Sequence, residues 1–176
     1  MAATNMRLIA KNVLGSDTAS VAFSDIPGTY TDLLLVVSAR SSRASNTYEE
    51  MRIRLNGTSS DSNFTNRYLT GNGSTAASGT ITTYGYAGDL PASSVTANTF
   101  GTTEIYFPNY AGSANKSFSL TTVQENNSAT AGNAYIDISA GLWSSIAAIT
   151  QIYLFCANST NFVTGSSFFL YGITKA

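Results

Sequence analysis

Alternation of apolar and polar side chains with a period of two runs through most of this 176-residue chain. In residues 51–55, Met51, Ile53 and Leu55 share one face and two arginines share the other. Successive side chains of a β-strand point to opposite faces, so this spacing predicts a half-buried strand. The same pattern predicts three further strands, whose inward residues are Ile105, Phe107, Phe118, Leu120, Ile136 and Ile138.

Two segments are apolar on both faces, residues 33–37 and residues 168–173. Such runs indicate central strands or strands covered by a neighbouring subunit. Turn-forming clusters, among them residues 87–91, separate the strands, and glycine and asparagine supply the backbone conformations that turns need. The sequence therefore predicts an all-β, antiparallel β-sandwich of about nine or ten strands.

Only residues 141–149 space their apolar side chains as a helix does. We expect at most one short helical turn, near residues 141–148, because so short a helix is marginal without packing. The domain prediction is a flexible N-terminal arm at residues 1–5 and one β-sandwich domain at residues 6–176. Residues 56–99 are the least hydrophobic part, and we interpret them as loop excursions where a partner could dock.

The composition argues against several classes of chemistry. The chain has no histidine, one cysteine and 11% charged residues. Zinc sites and histidine-dependent nucleophilic catalysis lack their residues, and no cofactor motif is present. A net charge of −1 does not fit a nucleic-acid binder, and no membrane span or signal peptide is predicted. The alternation around Cys156 predicts a buried structural thiol.

Carboxylates could in principle support glycoside hydrolysis or calcium binding. Glu49 and Glu50 are adjacent, so a strand would place them on opposite faces. Asp137 lies within a predicted strand, where its polar neighbours favour a solvated or inter-subunit charge. Asp61, Ser62 and Asn63 carry oxygen ligands but lack the rest of a calcium loop. We predict that the protein is not an enzyme, with no catalytic, cofactor or metal residues.

Five of the nine basic residues fall in one stretch and are candidate partner contacts: Arg40, Arg43, Arg52, Arg54 and Arg67. They could form an electropositive strip for an anionic partner, or a solvated face balanced by its own acids.

Tyrosines in polar segments are the second set of candidate contacts, because aromatic rings can stack on sugars. Tyr68, Tyr84 and Tyr86 are the candidates in residues 56–99, and Tyr106 and Tyr110 have the same chemistry. Tyrosines are equally common on strand faces and at oligomer interfaces, so both interpretations stay open.

The two ends of the chain resemble small virion structural proteins of tailed bacteriophages. The resemblance lies in the Phe, Ile-Pro, Tyr and Leu-rich strand of residues 23–40 and in the terminal Gly-Ser, aromatic, Leu-Tyr-Gly-Ile strand of residues 165–173. It implies a jelly-roll-like sandwich on the outer surface of a phage particle, made in the host cytoplasm.

The expected function is that of a capsid decoration (cement) protein, a stand-alone subunit that clamps neighbouring copies of the major capsid protein. Decoration proteins commonly occupy three-fold positions, so the expected oligomer is a homotrimer. The alternative is a tail, fibre or baseplate component, with a glycan as the possible ligand of a carbohydrate-binding receptor-recognition module. A polysaccharide-cleaving enzyme is the third hypothesis. It needs a carboxylate pair that the sequence does not show, and turnover that survives Asp137→Asn and Glu104→Gln would remove it.

Overall fold

The computed structural model describes residues 5–57, 63–130 and 132–175. Within these ranges the chain forms two antiparallel sheets and no α-helix, which confirms the all-β, sandwich-like prediction. The strands are β1 Met6–Val13, β2 Ser20–Phe23, β3 Asp32–Ala39, β4 Tyr48–Leu55, β5 Phe64–Gly71, β6 Ala76–Ile81, β7 Gly85–Pro91, β8 Gly101–Phe107, β9 Lys116–Gln124, β10 Tyr135–Trp143, β11 Ile152–Cys156 and β12 Ser167–Ile173.

The described residues contain twelve strands, more than the nine or ten predicted. Part of the difference lies in residues 56–99, which were predicted as loop excursions and contain β5, β6 and β7. Residues 87–91 were predicted as a turn because of their Gly-Asp-Leu-Pro sequence. They lie in β7, where Gly88 occupies a strand irregularity at φ +103°.

The large sheet has eight strands in the order β1-β12-β3-β8-β9-β10-β5-β6, and the small sheet has four in the order β2-β11-β4-β7. β3 and β12 pair with each other in the interior of the large sheet. The two doubly apolar segments are therefore central strands, as their sequences predicted.

The inner faces of the two sheets share one hydrophobic core. Burial confirms the inward prediction for β4, β8 and β9, where the apolar residues predicted to face inward are at most 3% exposed. Cys156 is buried as predicted, at 3% exposure, and burial raises the pKa of its thiol to about 12.

β10 reverses the prediction made for it. Ile136 and Ile138 are 51% and 55% exposed, whereas Asp137 is only 3% exposed. The far end of the strand sets this orientation, because Trp143 is 2% exposed in the core and every second residue before it shares its face. On that face Gly141 leaves room for the Phe118 ring, which a β-carbon at position 141 would overlap.

Residues 141–148 contain no helical turn, which agrees with the prediction of at most one there. Residues 141–143 belong to β10, and residues 144–151 form no helix. Strand pairing of Leu142 and Trp143 with β5 and β9 overrides their helix-like spacing.

The predicted N-terminal arm lies outside the described residues except for Asn5. The Asn5 carbonyl accepts a hydrogen bond from the Thr174 amide, with N and O 2.8 Å apart, so this residue is tied to the end of β12.

The outer face of the large sheet carries apolar side chains in solvent. Leu69, Val123, Ile136 and Ile138 lie on adjacent strands and are 39–55% exposed. The described part of the chain holds no helix long and apolar enough to cross a membrane.

Candidate functional site

The two sheets differ in width, and the difference creates a cleft. β7, the edge strand of the small sheet, packs against β8 and β9 and reaches β10 and β5. The inner face of β10, β5 and β6 extends past this edge and forms one wall of a cleft of about 250 Å³. The cleft is lined by Tyr48, Glu50, Tyr68, Thr70, Ile81, Tyr84, Tyr86, Asp89, Tyr135 and Asp137.

β10 supplies the most buried carboxylate of the cleft. Asp137 is on the inward face of β10, three positions along that face from the core residue Trp143. Its Oδ2 accepts a hydrogen bond from the Tyr86 hydroxyl, with the two oxygens 3.2 Å apart. The alternation that places the isoleucines of β10 in solvent thus brings an acid group into the cleft.

A bulge in β7 supplies the second aspartate. Asp89 pairs with Glu50 and Tyr86 pairs with Arg52, so two residues of β7 lie opposite one residue of β4. Gly88, within this bulge, approaches β9 so closely that an added β-carbon would lie 2.9 Å from the Thr122 side chain. The positive φ and this close approach both require glycine.

Burial makes ionisation of these groups unfavourable. Burial raises the pKa of Asp89 well above its usual range, and the neighbouring Asp137 carboxylate raises it further. Burial also raises the pKa of Asp137, although hydrogen bonds from Thr70 and Tyr86 oppose the shift. The pKa of Tyr86 is raised by burial and by both aspartates. The cleft therefore favours a ligand that brings hydrogen-bond donors or positive charge.

Glu50, Arg52 and Tyr84 form the rim. Glu50 accepts hydrogen bonds from Arg52 Nε and from the Tyr84 hydroxyl, each with a donor–acceptor distance of 2.7 Å. The Arg52 guanidinium carbon lies 3.7 Å from the centroid of the Tyr84 ring. This rim already holds one cation between an aromatic face and a carboxylate.

Aromatic rings line the remaining walls. The Tyr68 ring lies over Gly79 of β6, at the position where a β-carbon would be, and its centroid is 6.4 Å from that of Tyr86. Tyr48 and Tyr135 meet edge to face, with ring centroids 5.2 Å apart. These contacts fix ring positions before any ligand binds.

The structure does not gather the five candidate arginines into one strip. Arg40 is 7% exposed, and its guanidinium donates to three backbone carbonyls of the loop at residues 95–99. Arg43 donates from Nη1 to the Tyr48 carbonyl, 3.1 Å away, and its Nε lies 3.9 Å from a carboxylate oxygen of the buried Glu49. Both arginines therefore bind groups of the protein itself, Arg40 in a loop and Arg43 at the start of β4.

The other three arginines are divided between the two sheets. Arg52 and Arg54 are half-buried on the outward face of β4, and the Arg54 guanidinium lies over the Phe155 ring at 4.6 Å. Arg67 is exposed on the outer face of β5, in the other sheet. Arg52 contacts the side chains of two residues that line the cleft, Glu50 and Tyr84.

The three candidate tyrosines, Tyr68, Tyr84 and Tyr86, are brought together in the cleft. Tyr106 and Tyr110 are placed elsewhere: the Tyr106 hydroxyl donates to Asp32, and Tyr110 is buried with its hydroxyl bonded to the Pro27 carbonyl.

Sequence reasoning missed the role of the carboxylates. Asp89 was assigned to a turn, and Asp137 to an outer face. The signal that could have placed Asp137 was its even spacing from Trp143, the larger and more apolar anchor of the strand. Glu50 does lie on the opposite face from Glu49, as alternation predicted, and Glu49 is fully buried.

A second cavity, of about 360 Å³, lies beside the first and shares Tyr135 with it. Its one carboxylate, Glu125, accepts hydrogen bonds from the backbone amides of Asn126 and Asn127. No group of three or more acidic or cysteine side chains suited to a metal ion occurs in the described residues. The tyrosine-lined cleft therefore combines the most binding chemistry.

No protein-family model and no curated protein matches the chain. Among solved structures, a functionally unknown protein from Saccharomyces cerevisiae has 9% identity and a TM-score of 0.29, over 87% of this chain and 69% of that one. A protein of unknown function from Shewanella oneidensis has 14% identity and a TM-score of 0.33, over 99% and 82%. Scytalido-glutamic peptidase has 9% identity and a TM-score of 0.27, over 91% and 66%. Likenesses this weak carry no argument about function.

Proposed function

We propose that the chain is a non-catalytic, carbohydrate-binding β-sandwich and that the tyrosine-lined cleft is its binding site. The observation that carries the proposal is the convergence of five tyrosines and three carboxylates on one cleft. Aromatic rings cover the apolar faces of sugar rings, and carboxylates accept hydrogen bonds from sugar hydroxyls. The proposal corresponds to the glycan-binding alternative in the sequence analysis and uses the same three tyrosines.

The arrangement of the cleft supports binding by a preformed surface. Tyr68 is held over Gly79, and Tyr84 is held by Glu50 and Arg52. Rings that are already fixed lose little side-chain entropy when a ligand stacks on them. The absence of histidine from the sequence is our reason for proposing binding without turnover.

A glycan array with the purified chain tests this function. We expect binding that is lost in Tyr68→Ala and in Tyr84→Ala. The matched control is Tyr171→Ala, which removes a half-buried tyrosine from the outer face of β12, on the other side of the large sheet. Loss of binding in the control as well, with all variants folded by circular dichroism, would show that the cleft is not the site.

Assembly into a larger structure is a second candidate function, and it keeps the virion decoration hypothesis as a proposal. The observation in its favour is the exposed apolar row of Leu69, Val123, Ile136 and Ile138 on the outer face of the large sheet. Contiguous apolar patches of this kind are common at protein interfaces. A homotrimer bound to a major capsid protein would use such a face.

Light scattering on a size-exclusion column and capsid melting test this second function. A decoration subunit should form a defined oligomer and raise the melting temperature of assembled capsids that lack it. A monomer that leaves the capsid melting profile unchanged would refute the decoration proposal.

A further inference from the structure

We propose that the tyrosine-lined cleft selects a saccharide that carries an ammonium group, such as an amino sugar with a free amine. The inference rests on the proposed function, because it specifies the ligand of the same cleft. Three features of the cleft support it: an excess of carboxylates, tyrosine rings close to them, and an internal example of the contact.

The carboxylate excess comes from Asp89 and Asp137. Of the three acids in the cleft, Glu50 forms an ion pair with Arg52, at 2.7 Å between Nε and Oε1. Neither aspartate has an ion-pair partner among the described residues. Their mutual repulsion and their burial both oppose ionisation, and a bound cation would relieve both.

The tyrosines provide the second half of a cation site. Tyr86 donates its hydroxyl to Asp137 and lies beside Tyr68. An ammonium group near these carboxylates would therefore lie close to aromatic rings, whose faces attract cations through the ring quadrupole. A neutral hydroxyl gains the hydrogen bonds but not the charge interactions.

Arg52 shows that this cleft binds cations in that way. Its guanidinium lies 3.7 Å from the Tyr84 centroid while Glu50 accepts its Nε proton. The same pairing of ring and carboxylate recurs deeper in the cleft with Tyr86 and Asp137, where the chain places no cation of its own among the described residues.

The inward face of β10 carries a second polar side chain next to Asp137. Ser139 follows Asp137 on the inward face of β10 and pairs across the sheet with Tyr68. It is 3% exposed, and its hydroxyl has no partner among the described residues. Ser139 does not line the cleft, so the ligand contacts proposed here are those of Asp89, Asp137 and the tyrosines.

The test compares chitosan oligosaccharides, which carry free amines, with chitin oligosaccharides of equal length, in which each amine is acetylated. Isothermal titration at several pH values between about 5 and 7 keeps the amines protonated and shows whether the affinity falls at the acidic end, where the raised pKa values of Asp89 and Asp137 favour their neutral form. We expect chitosan to bind roughly tenfold or more tightly than chitin, with an affinity that falls as salt is added. Tetramethylammonium should compete with chitosan for the protein.

Variants that remove a carboxylate charge and keep the side-chain volume identify the residues that cause the preference for chitosan. Asp137→Asn and Asp89→Asn should each abolish the preference for chitosan. Glu104→Gln, an exposed carboxylate on the outer face of β8, is the matched control and should retain it. Tyr86→Phe offers a third variant, which keeps the ring and removes only the hydroxyl that bonds to Asp137.

The outcomes separate this inference from the proposed function. Equal affinity for chitosan and chitin, or binding of other neutral glycans only, would overturn the ammonium preference and leave carbohydrate binding in place. No binding to any glycan would overturn both. A preference for chitosan that persists in both aspartate variants would also overturn the inference, because surface charge would then be the cause.

Discussion

Single residues set the electrostatics of the cleft, and Asp89 is the clearest case. Burial and the nearby Asp137 raise its pKa in the folded protein. A carboxyl whose folded pKa lies above its unfolded value binds more protons when folded. Its contribution to stability is therefore complete below the unfolded pKa and is lost as the pH rises through the folded pKa.

Asp89→Asn removes this penalty. We expect the variant to unfold at a higher temperature than the parent protein at about pH 8, and the difference to shrink towards about pH 4, where the parent carboxyl is protonated. Thermal denaturation across this range measures it, with Glu104→Gln as the exposed control. A difference in unfolding temperature that stays constant across this pH range would show that folding does not change the pKa of the Asp89 carboxyl.

Gly88 is the second residue whose identity the structure requires. Gly88→Ala would place a β-carbon 2.9 Å from Thr122 at a φ of +103°. We expect a loss of roughly 2 kcal/mol or more of unfolding free energy, from backbone strain and overpacking together. Gly15→Ala is the control, because no heavy atom lies within 4 Å of the added β-carbon. It should change the free energy of unfolding by less than about 0.5 kcal/mol. If the two variants lose the same free energy of unfolding in urea denaturation, the close approach of β7 to β9 is contradicted.

At the scale of single elements, the loop at residues 95–99 depends on Arg40. Three hydrogen bonds from its guanidinium, 2.8–3.0 Å long, hold the carbonyls of this loop. Arg40→Met keeps most of the apolar stem and removes the donors, so we expect the loop amides to exchange hydrogen faster and stability to fall by about 2 kcal/mol. Arg67→Met, on an exposed strand face, should leave both unchanged.

β4 and β10 show how far the sequence determines an element. Both were predicted as strands, and both are. The inward face of β4 follows from its alternation because Met51, Ile53 and Leu55 oppose charged residues. In β10 the two isoleucines and Trp143 point to opposite faces. The isoleucines alone predict the wrong inward face, because the packing of Trp143 in the core sets the orientation of the strand.

The cleft could be predicted only in part for the same reason. Tyr68, Tyr84 and Tyr86 stood out as aromatic residues in polar surroundings, and the structure brings them together. Asp89 could not be found from its neighbours, because a Gly-Asp-Leu-Pro sequence favours a turn and becomes a bulged strand only through pairing with β4. The cleft exists because the large sheet is wider than the small one. The number of strands in each sheet depends on pairing between segments that are distant in the sequence.

At the scale of the whole molecule, the outer face of the large sheet bears on self-association. Ile136 and Ile138 are about half exposed beside Val123 and Leu69, on a face that also carries the charged side chains of Arg67 and Glu104. We expect the protein to self-associate and Ile138→Lys to shift it towards monomer in sedimentation velocity. Thr121→Lys places a charge on the neighbouring strand of the same face and tests whether a charge elsewhere on this face is enough to shift the protein towards monomer. A parent protein that stays monomeric at high concentration would contradict the expectation.

We propose that ligand recognition occurs where the large sheet extends past β7. Amide chemical-shift mapping during titration with the glycan selected on the array tests it most directly. We predict shifts confined to β4, β5, β10 and the segment from β6 to β7, centred on Tyr68, Tyr86 and Asp137, with β1 and β12 unmoved. Shifts centred on the outer face of the large sheet, or on the loops at the opposite end, would contradict the claim.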